Sequence, residues 1–135
     1  LVHVRYDDES EAATALVEGA ESAFEAAGID LHSNYDEFFV ILSGDSIRAA
    51  AALAVTEDET LSYEFSVVTM PTFRRQGLTR LLVEEVIRYA RSMGAELDME
   101  TWVEAYVVNP EAMLPLLKSF GFALDGKYWR LKVQS

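Results

Sequence analysis

Apolar positions along this chain follow two rhythms, and the switches between them mark its elements. Ala13, Leu16, Val17, Ala20, Phe24 and Ala27 recur at helical spacing. They predict a first helix of about five turns. Asp7 and Asp8 offer its N-cap, with Glu11 three residues after Asp8 as in a capping box, and Gly28 supplies the stop. Ahead of it, residues 1–5 are apolar enough for a first strand.

The rhythm then changes. Strands are predicted over 38–42, 47–55 and 61–68. Ser43-Gly44-Asp45-Ser46 and the polar run from Thr56 to Thr60 read as hairpin turns between them, giving an antiparallel meander. The run Ala49–Ala52 suits a helix by propensity, but turns on both flanks make it a strand. Helical spacing returns over 78–93, through Leu78, Leu81, Leu82, Val86, Tyr89, Ala90 and Met93. Gly94 is the expected end, and Glu84 with Arg88 forms a favourable i,i+4 pair. A fifth strand is expected over 97–101, with Trp102 and Val103 able to prolong it.

Asn109 is a good N-cap with Pro110 in the first helical position, whereas Pro115 kinks or delays that helix. Residues 122–124 and 128–133 flank Asp125-Gly126, a hairpin turn. The reading is one α/β domain over residues 1–135. Its central sheet is mixed, mostly antiparallel, and flanked by helices.

One junction carries chemistry. A strand ending at Val68 passes through Pro71-Thr72-Phe73-Arg74-Arg75-Gln76-Gly77 into the helix beginning at Leu78. The first amides of a helix lack intrahelical partners, and the macrodipole adds roughly half a positive charge there. Amides, arginines and a glycine without a β-carbon together suit a pyrophosphate.

Composition narrows the partners. The 135 residues carry a net charge of −12, half of them are hydrophobic, and none is cysteine. There is therefore no disulfide, thiolate metal site or thiol nucleophile. His3 and His32 have no metal-ligand spacing, so no metal is expected, and surface or edge positions suit both. Residues 1–73 hold fifteen acidic side chains against Arg5 and Arg48, while the remainder is nearly balanced. Such a body opposes nucleic acid as a partner and favours a cationic acceptor. No apolar run reaches the ~20 residues of a membrane span, and no signal peptide is seen, so a cytoplasmic protein is expected.

Arg74-x-x-Gly77-x-Thr79 resembles the acyl-CoA signature of the GNAT acetyltransferase superfamily, Arg/Gln-x-x-Gly-x-Gly/Ala, with Thr79 replacing the usual small residue. Asn109-Pro110-Glu111-Ala112 and Phe120-Gly121-Phe122 resemble its C-terminal Asn-x-x-Ala and Gly-Phe. The resemblance implies acyl-CoA bound at a splayed fourth strand and the following helix N-terminus. Val68, Thr69 and Met70 would pair with the pantetheine arm. Arg74, Arg75, Gln76, Gly77, Leu78, Thr79 and Arg80 would surround the pyrophosphate, and Asn109 would bond cofactor or backbone.

The implied activity is N-acetyl transfer from acetyl-CoA to a primary amine: a small amine, a polyamine or a lysine. Glu64 is the nearest match to the family's general base, with Glu100 and Glu104 as rivals. Leu117 stands where the family often has a tyrosine acid, leaving Tyr106, Tyr128 or unaided thiolate departure. That departure keeps a second reading open, a catalytically weak or inactive acyl-CoA-binding or interaction module. Trp102, Tyr106, Tyr128 and Trp129 read as core or interface, and the C-terminal strand pair is a candidate homodimer surface. Phe38 or Phe39 would line the acceptor side, with Asp30, Asp36 or Glu37 near its entrance.

Overall fold

Seven strands follow the order β1-β2-β3-β4-β5-β7-β6 in the computed structural model, which describes every residue except 32–34, 75 and 108–109. The strands are β1 (Val2–Arg5), β2 (Glu37–Ser43), β3 (Ser46–Glu57), β4 (Leu61–Thr69), β5 (Thr101–Ala105), β6 (Ala123–Asp125) and β7 (Tyr128–Gln134). The helices are α1 (Glu11–Ala26), α2 (Leu78–Leu97) and α3 (Pro110–Phe120). β1 with β2, β2 with β3, β5 with β7 and β6 with β7 are antiparallel; β4 with β5 is parallel. This is the mixed α/β architecture the sequence predicts. Among the described residues, no helix is long and apolar enough to cross a membrane.

The chain divides into two compact units, Leu1–Ala54 with Val67–Glu84, and Val55–Ser66 with Glu85–Ser135. In the first, Val17, Ala20 and Phe24 of α1 pack with Phe38, Val40, Ala50, Ala52, Ala54 and Val68. Each large side chain buried this way contributes roughly 1.5–3 kcal/mol. The cap of α1 lies two residues past the expected site. Ser10, not Asp8, holds the extended cap conformation, and its hydroxyl accepts from the Ala13 amide at 3.2 Å. Asp8 instead accepts from the Ser10 amide at 3.0 Å, closing the turn before the helix. The stop is as expected: Gly28, at φ 73°, donates to Glu25, and Ile29 donates to Phe24 at 2.9 Å, a Schellman pair.

In the second unit Tyr63 meets Tyr89 edge-on, Phe65 meets Phe122, and Val103 and Leu117 are fully buried. Here α2 does not stop at Gly94 but runs on to Leu97, ending before Asp98 at φ 53°. A β-carbon on Gly94 would lie 2.1 Å from Thr101 Oγ1, so this glycine admits β5 to the helix surface. The longer helix displaces β5 to Thr101–Ala105, later than expected. Arg88 pairs with Glu85, one turn back at i,i+3, rather than with Glu84. Pro115 stays inside α3, which forgoes that one amide bond and continues.

Candidate functional site

The parallel ladder of β4 and β5 ends at Phe65 and Ala105, while β4 runs on to Thr69. Val68 is buried in the first unit's core, which anchors this end of β4, and Thr69 and Met70 follow half-buried. A single 3₁₀ turn, Pro71–Phe73, then redirects the chain, with the Phe73 amide donating to the Met70 carbonyl at 2.9 Å. Gly77 sits at φ 73°, a left-handed conformation that disfavours side chains. Its carbonyl accepts from the Leu81 amide at 3.1 Å and so opens α2. The amides of Leu78, Thr79 and Arg80 therefore precede the first intrahelical bond. A β-carbon placed on Gly77 would meet nothing within 4 Å, so the turn faces open space.

Most of the expected cofactor residues are brought together here by one strand end, one turn and one helix start. Arg74, Gln76 and Arg80 are exposed, whereas Leu78 is buried and offers only its backbone. Arg75 and Asn109 lie outside the described residues. Thr79 has a use that the motif did not suggest. Its hydroxyl lies 2.9 Å from that of Thr69 and ties the helix start to the end of β4. A small residue in its place would leave Thr69 without this partner. If Thr69 donates, the Thr79 proton remains available to a ligand.

The candidate carboxylates belong to the second unit. Leu61, Tyr63 and Phe65 are buried, while Ser62 and Glu64 are half-buried. Alternation along β4 thus holds as far as Phe65 and changes phase at Ser66 and Val67, after which Val68 is the buried residue. Glu64 stands opposite Glu104 on β5, and Glu104 opposite Arg130 on β7. The three rivals are engaged differently. Arg130 donates to Glu104 at 3.1 Å and to Asp125 at 2.9 Å, with its guanidinium 4.1 Å above the Trp102 ring. Glu100 accepts from the Trp102 indole at 2.9 Å and pairs with Lys132 at 3.0 Å. Those two donors hold its carboxyl below the usual carboxylate range. Among the described residues Glu64 enters no ion pair; it meets the Tyr128 phenol. Its charge first, then burial, then the hydrogen bond between them push that phenol above its ordinary value. Tyr106 completes the group, its ring edge-on to Tyr128 at 6.0 Å.

The Tyr128–Glu64 bond was not visible in the sequence, because it requires β7 to lie beside β5 rather than next to β6 alone. Other expectations change as well. Trp102, Tyr128 and Trp129 are half-buried and Tyr106 is exposed, so these rings serve a charged surface rather than a core. Phe38 and Phe39 are both buried, at 1% and 2% exposure. Glu37 is also buried and bonds His3 at 3.0 Å. His3 thus occupies an edge strand as expected; His32 lies outside the described residues. Asp30 borders an open cavity of about 440 Å³ with Glu21 and Glu25 at the end of α1. Among the described residues, no group of three or more His, Asp or Glu is placed to hold a metal ion.

The model of the acetyltransferase (GNAT) family matches residues 5–122. No curated protein matches the chain in sequence. Among solved structures, a GNAT-family protein from Desulfovibrio desulfuricans is 16% identical with a TM-score of 0.66, covering 98% of each chain. YhhK from E. coli, solved in solution with coenzyme A bound, is 15% identical at TM-score 0.61, again over 98% of each chain. The ribosomal-protein-S18-alanine N-acetyltransferase from Escherichia coli is 19% identical at TM-score 0.60, covering 99% of this chain and 96% of that one. Two further similar structures are complexes that contain DNA.

Proposed function

The chain belongs to the acetyltransferase (GNAT) family, and from that premise we propose that it moves an acetyl group from acetyl-CoA directly to a primary amine. The family makes it an acyl-CoA-dependent acetyltransferase; the direct route and the amine acceptor are the proposal. The observation that carries it is the Gly77 turn, left-handed, open to space and leading directly into the start of α2, whose first amides point out of the helix end. Those amides suit the pyrophosphate, with Arg74, Arg75, Gln76 and Arg80 around it and the Thr79 hydroxyl as a further donor. Val68, Thr69 and Met70 offer strand backbone to the pantetheine arm. Asn109 bonds the cofactor or its own helix.

Direct transfer suits a chain with no cysteine to carry an acyl group. The amine nitrogen attacks the thioester carbonyl carbon, a C–N bond forms, and the C–S bond breaks. The cationic amine first gives one proton to Glu64 through water, because an amine with a pKa near 10 must lose it to react. The second proton leaves the nitrogen for solvent water as the C–S bond breaks. A backbone amide near Val68 or Met70 meets the negative charge that grows on the carbonyl oxygen. Glu64 is preferred over Glu100 and Glu104 because cations already hold the other two carboxylates. The thiolate leaves unaided: Leu117 is buried, and the Tyr128 phenol faces Glu64 with its acidity lowered.

The acidic first 73 residues support a cationic acceptor and weigh against nucleic acid. We read residues 1–135 as one N-acetyltransferase domain acting in the cytoplasm. The test is thiol release from acetyl-CoA across a panel of alkylamines, polyamines, amino acids and lysine peptides. Release is expected with at least one cationic acceptor, and Glu64→Gln should lower it about 100-fold or more at pH 7. An unchanged rate removes Glu64 as base. Tight CoA binding without release across the panel would favour a binding module instead.

A further inference from the structure

Arg48 is left unused by the chemistry above. It stands where the β2–β3 ladder slips: Ile41 pairs with Ala49 and Leu42 with Ile47, so Arg48 is the extra residue of a bulge. Bulges re-aim side chains. The Arg48 carbonyl accepts from the Met70 amide at 2.8 Å, which places the residue beside the end of β4. Its guanidinium carbon lies 5.5 Å from the centre of the Phe73 ring, in the turn that leads to Gly77. Nε of Arg48 is buried and has no hydrogen-bond partner, alone in this among the buried side-chain nitrogens and oxygens of the described residues. Nor does Arg48 enter any ion pair among those residues, although Arg5, Arg88, Arg130 and Lys132 all do.

A guanidinium with a buried, unanswered N–H is costly. Packing alone would be served better by an apolar side chain. The bulge and the Phe73 face instead hold a cation at the turn where the cofactor residues converge.

We propose that Arg48 is an anion-binding residue of this site. Its guanidinium takes an oxyanion at the turn between β4 and α2, either a phosphate of the coenzyme or the carboxylate of an acceptor that carries one. The proposal rests on the cofactor reading of the Gly77 turn and adds to it a residue outside the motif. Binding draws the fork off Phe73 and gives Nε an acceptor. Arg is suited to this task because its planar fork matches both oxyanions.

The test compares the native chain with Arg48→Met by calorimetry and thermal melting. Titrants are CoA, pantetheine (which lacks the phosphates) and, on CoA-loaded protein, 4-aminobutyrate against butylamine. Without ligand, Arg48→Met should melt at the native temperature or higher, since it removes an orphaned donor. A coenzyme phosphate as the oxyanion predicts a loss of about tenfold or more for CoA and none for pantetheine. An acceptor carboxylate predicts unchanged CoA affinity and loss of any preference for aminobutyrate. If Arg48→Met matches the native chain in every binding arm and melts lower, Arg48 only braces Phe73 and the proposal is overturned. A native chain that binds no CoA would overturn the cofactor reading and this proposal together.

Discussion

Two glycines on one helical stretch are there for opposite reasons. Gly77, just before α2, lies at φ 73°, and a β-carbon on it would meet nothing within 4 Å. Gly94, inside α2, would place a β-carbon 2.1 Å from Thr101 Oγ1, 2.9 Å from Thr101 Cβ and 3.0 Å from Gln134 Cβ. At Gly77 the backbone shape matters and the surrounding volume is empty. At Gly94 the shape is ordinary and the volume is taken. Open space beside a helix start is what a ligand requires; filled space is what a packed strand and helix require. The pair shows that an absent side chain marks function only when nothing else in the chain occupies its place.

The contrast can be broken in three ways. Gly94→Ala should cost about 3 kcal/mol of stability, because Thr101 and Gln134 must both yield to the methyl group. Chemical denaturation measures it, and CoA affinity of the fraction that remains folded should be unchanged. Gly77→Asp should do the reverse. Its stability loss should stay near about 1–2 kcal/mol, from an L-residue at positive φ, while calorimetric CoA affinity falls on the order of 100-fold. Gly77→Asn, which tolerates that conformation and brings no charge, should fall between; equal affinities for all three chains would refute the cradle.

The smallest effect lies in the packed unit and concerns Tyr128. Its folded pKa is raised above 10.0, chiefly by Glu64, so the folded chain keeps this proton to higher pH than the unfolded chain. Stability therefore falls as pH rises from that unfolded value through the folded one. Glu64→Gln removes the leading cause. Spectrophotometric titration should then show one tyrosine ionising at lower pH, and the alkaline loss of stability should shrink. An unmoved titration would separate Tyr128 from Glu64.

Much of this was legible in the sequence, and the errors have physical causes. Local signals located α1, the hairpins and the strand–turn–helix at Gly77, because apolar period and turn chemistry act over a few residues. Gly94 misled because a helix stop and a close approach look alike without knowledge of Thr101. The cap moved from Asp8 to Ser10 because both can accept a backbone amide and only the backbone angles decide. At the candidate site, the motif residues were readable, but the ordering of the carboxylates was not. Glu64 differs from Glu100 and Glu104 through Tyr128, Lys132 and Arg130, all supplied by β7, and through the Trp102 indole that Glu100 alone accepts from. Strand order is a property of the whole sheet, and the setting of Arg48 depends on a bulge and on Phe73, which local sequence does not reveal.

The run Ala49–Ala52 on β3 is wholly shielded from solvent, its methyl groups alternating between the two sides of the sheet. This strand contributes thinness rather than contact area, and lets its neighbours close in from both directions. Its vulnerability is thus inverted relative to Phe24 or Phe38. Those positions suffer when atoms are removed, whereas the middle of β3 suffers when atoms are added, so even a valine there would act as a wedge.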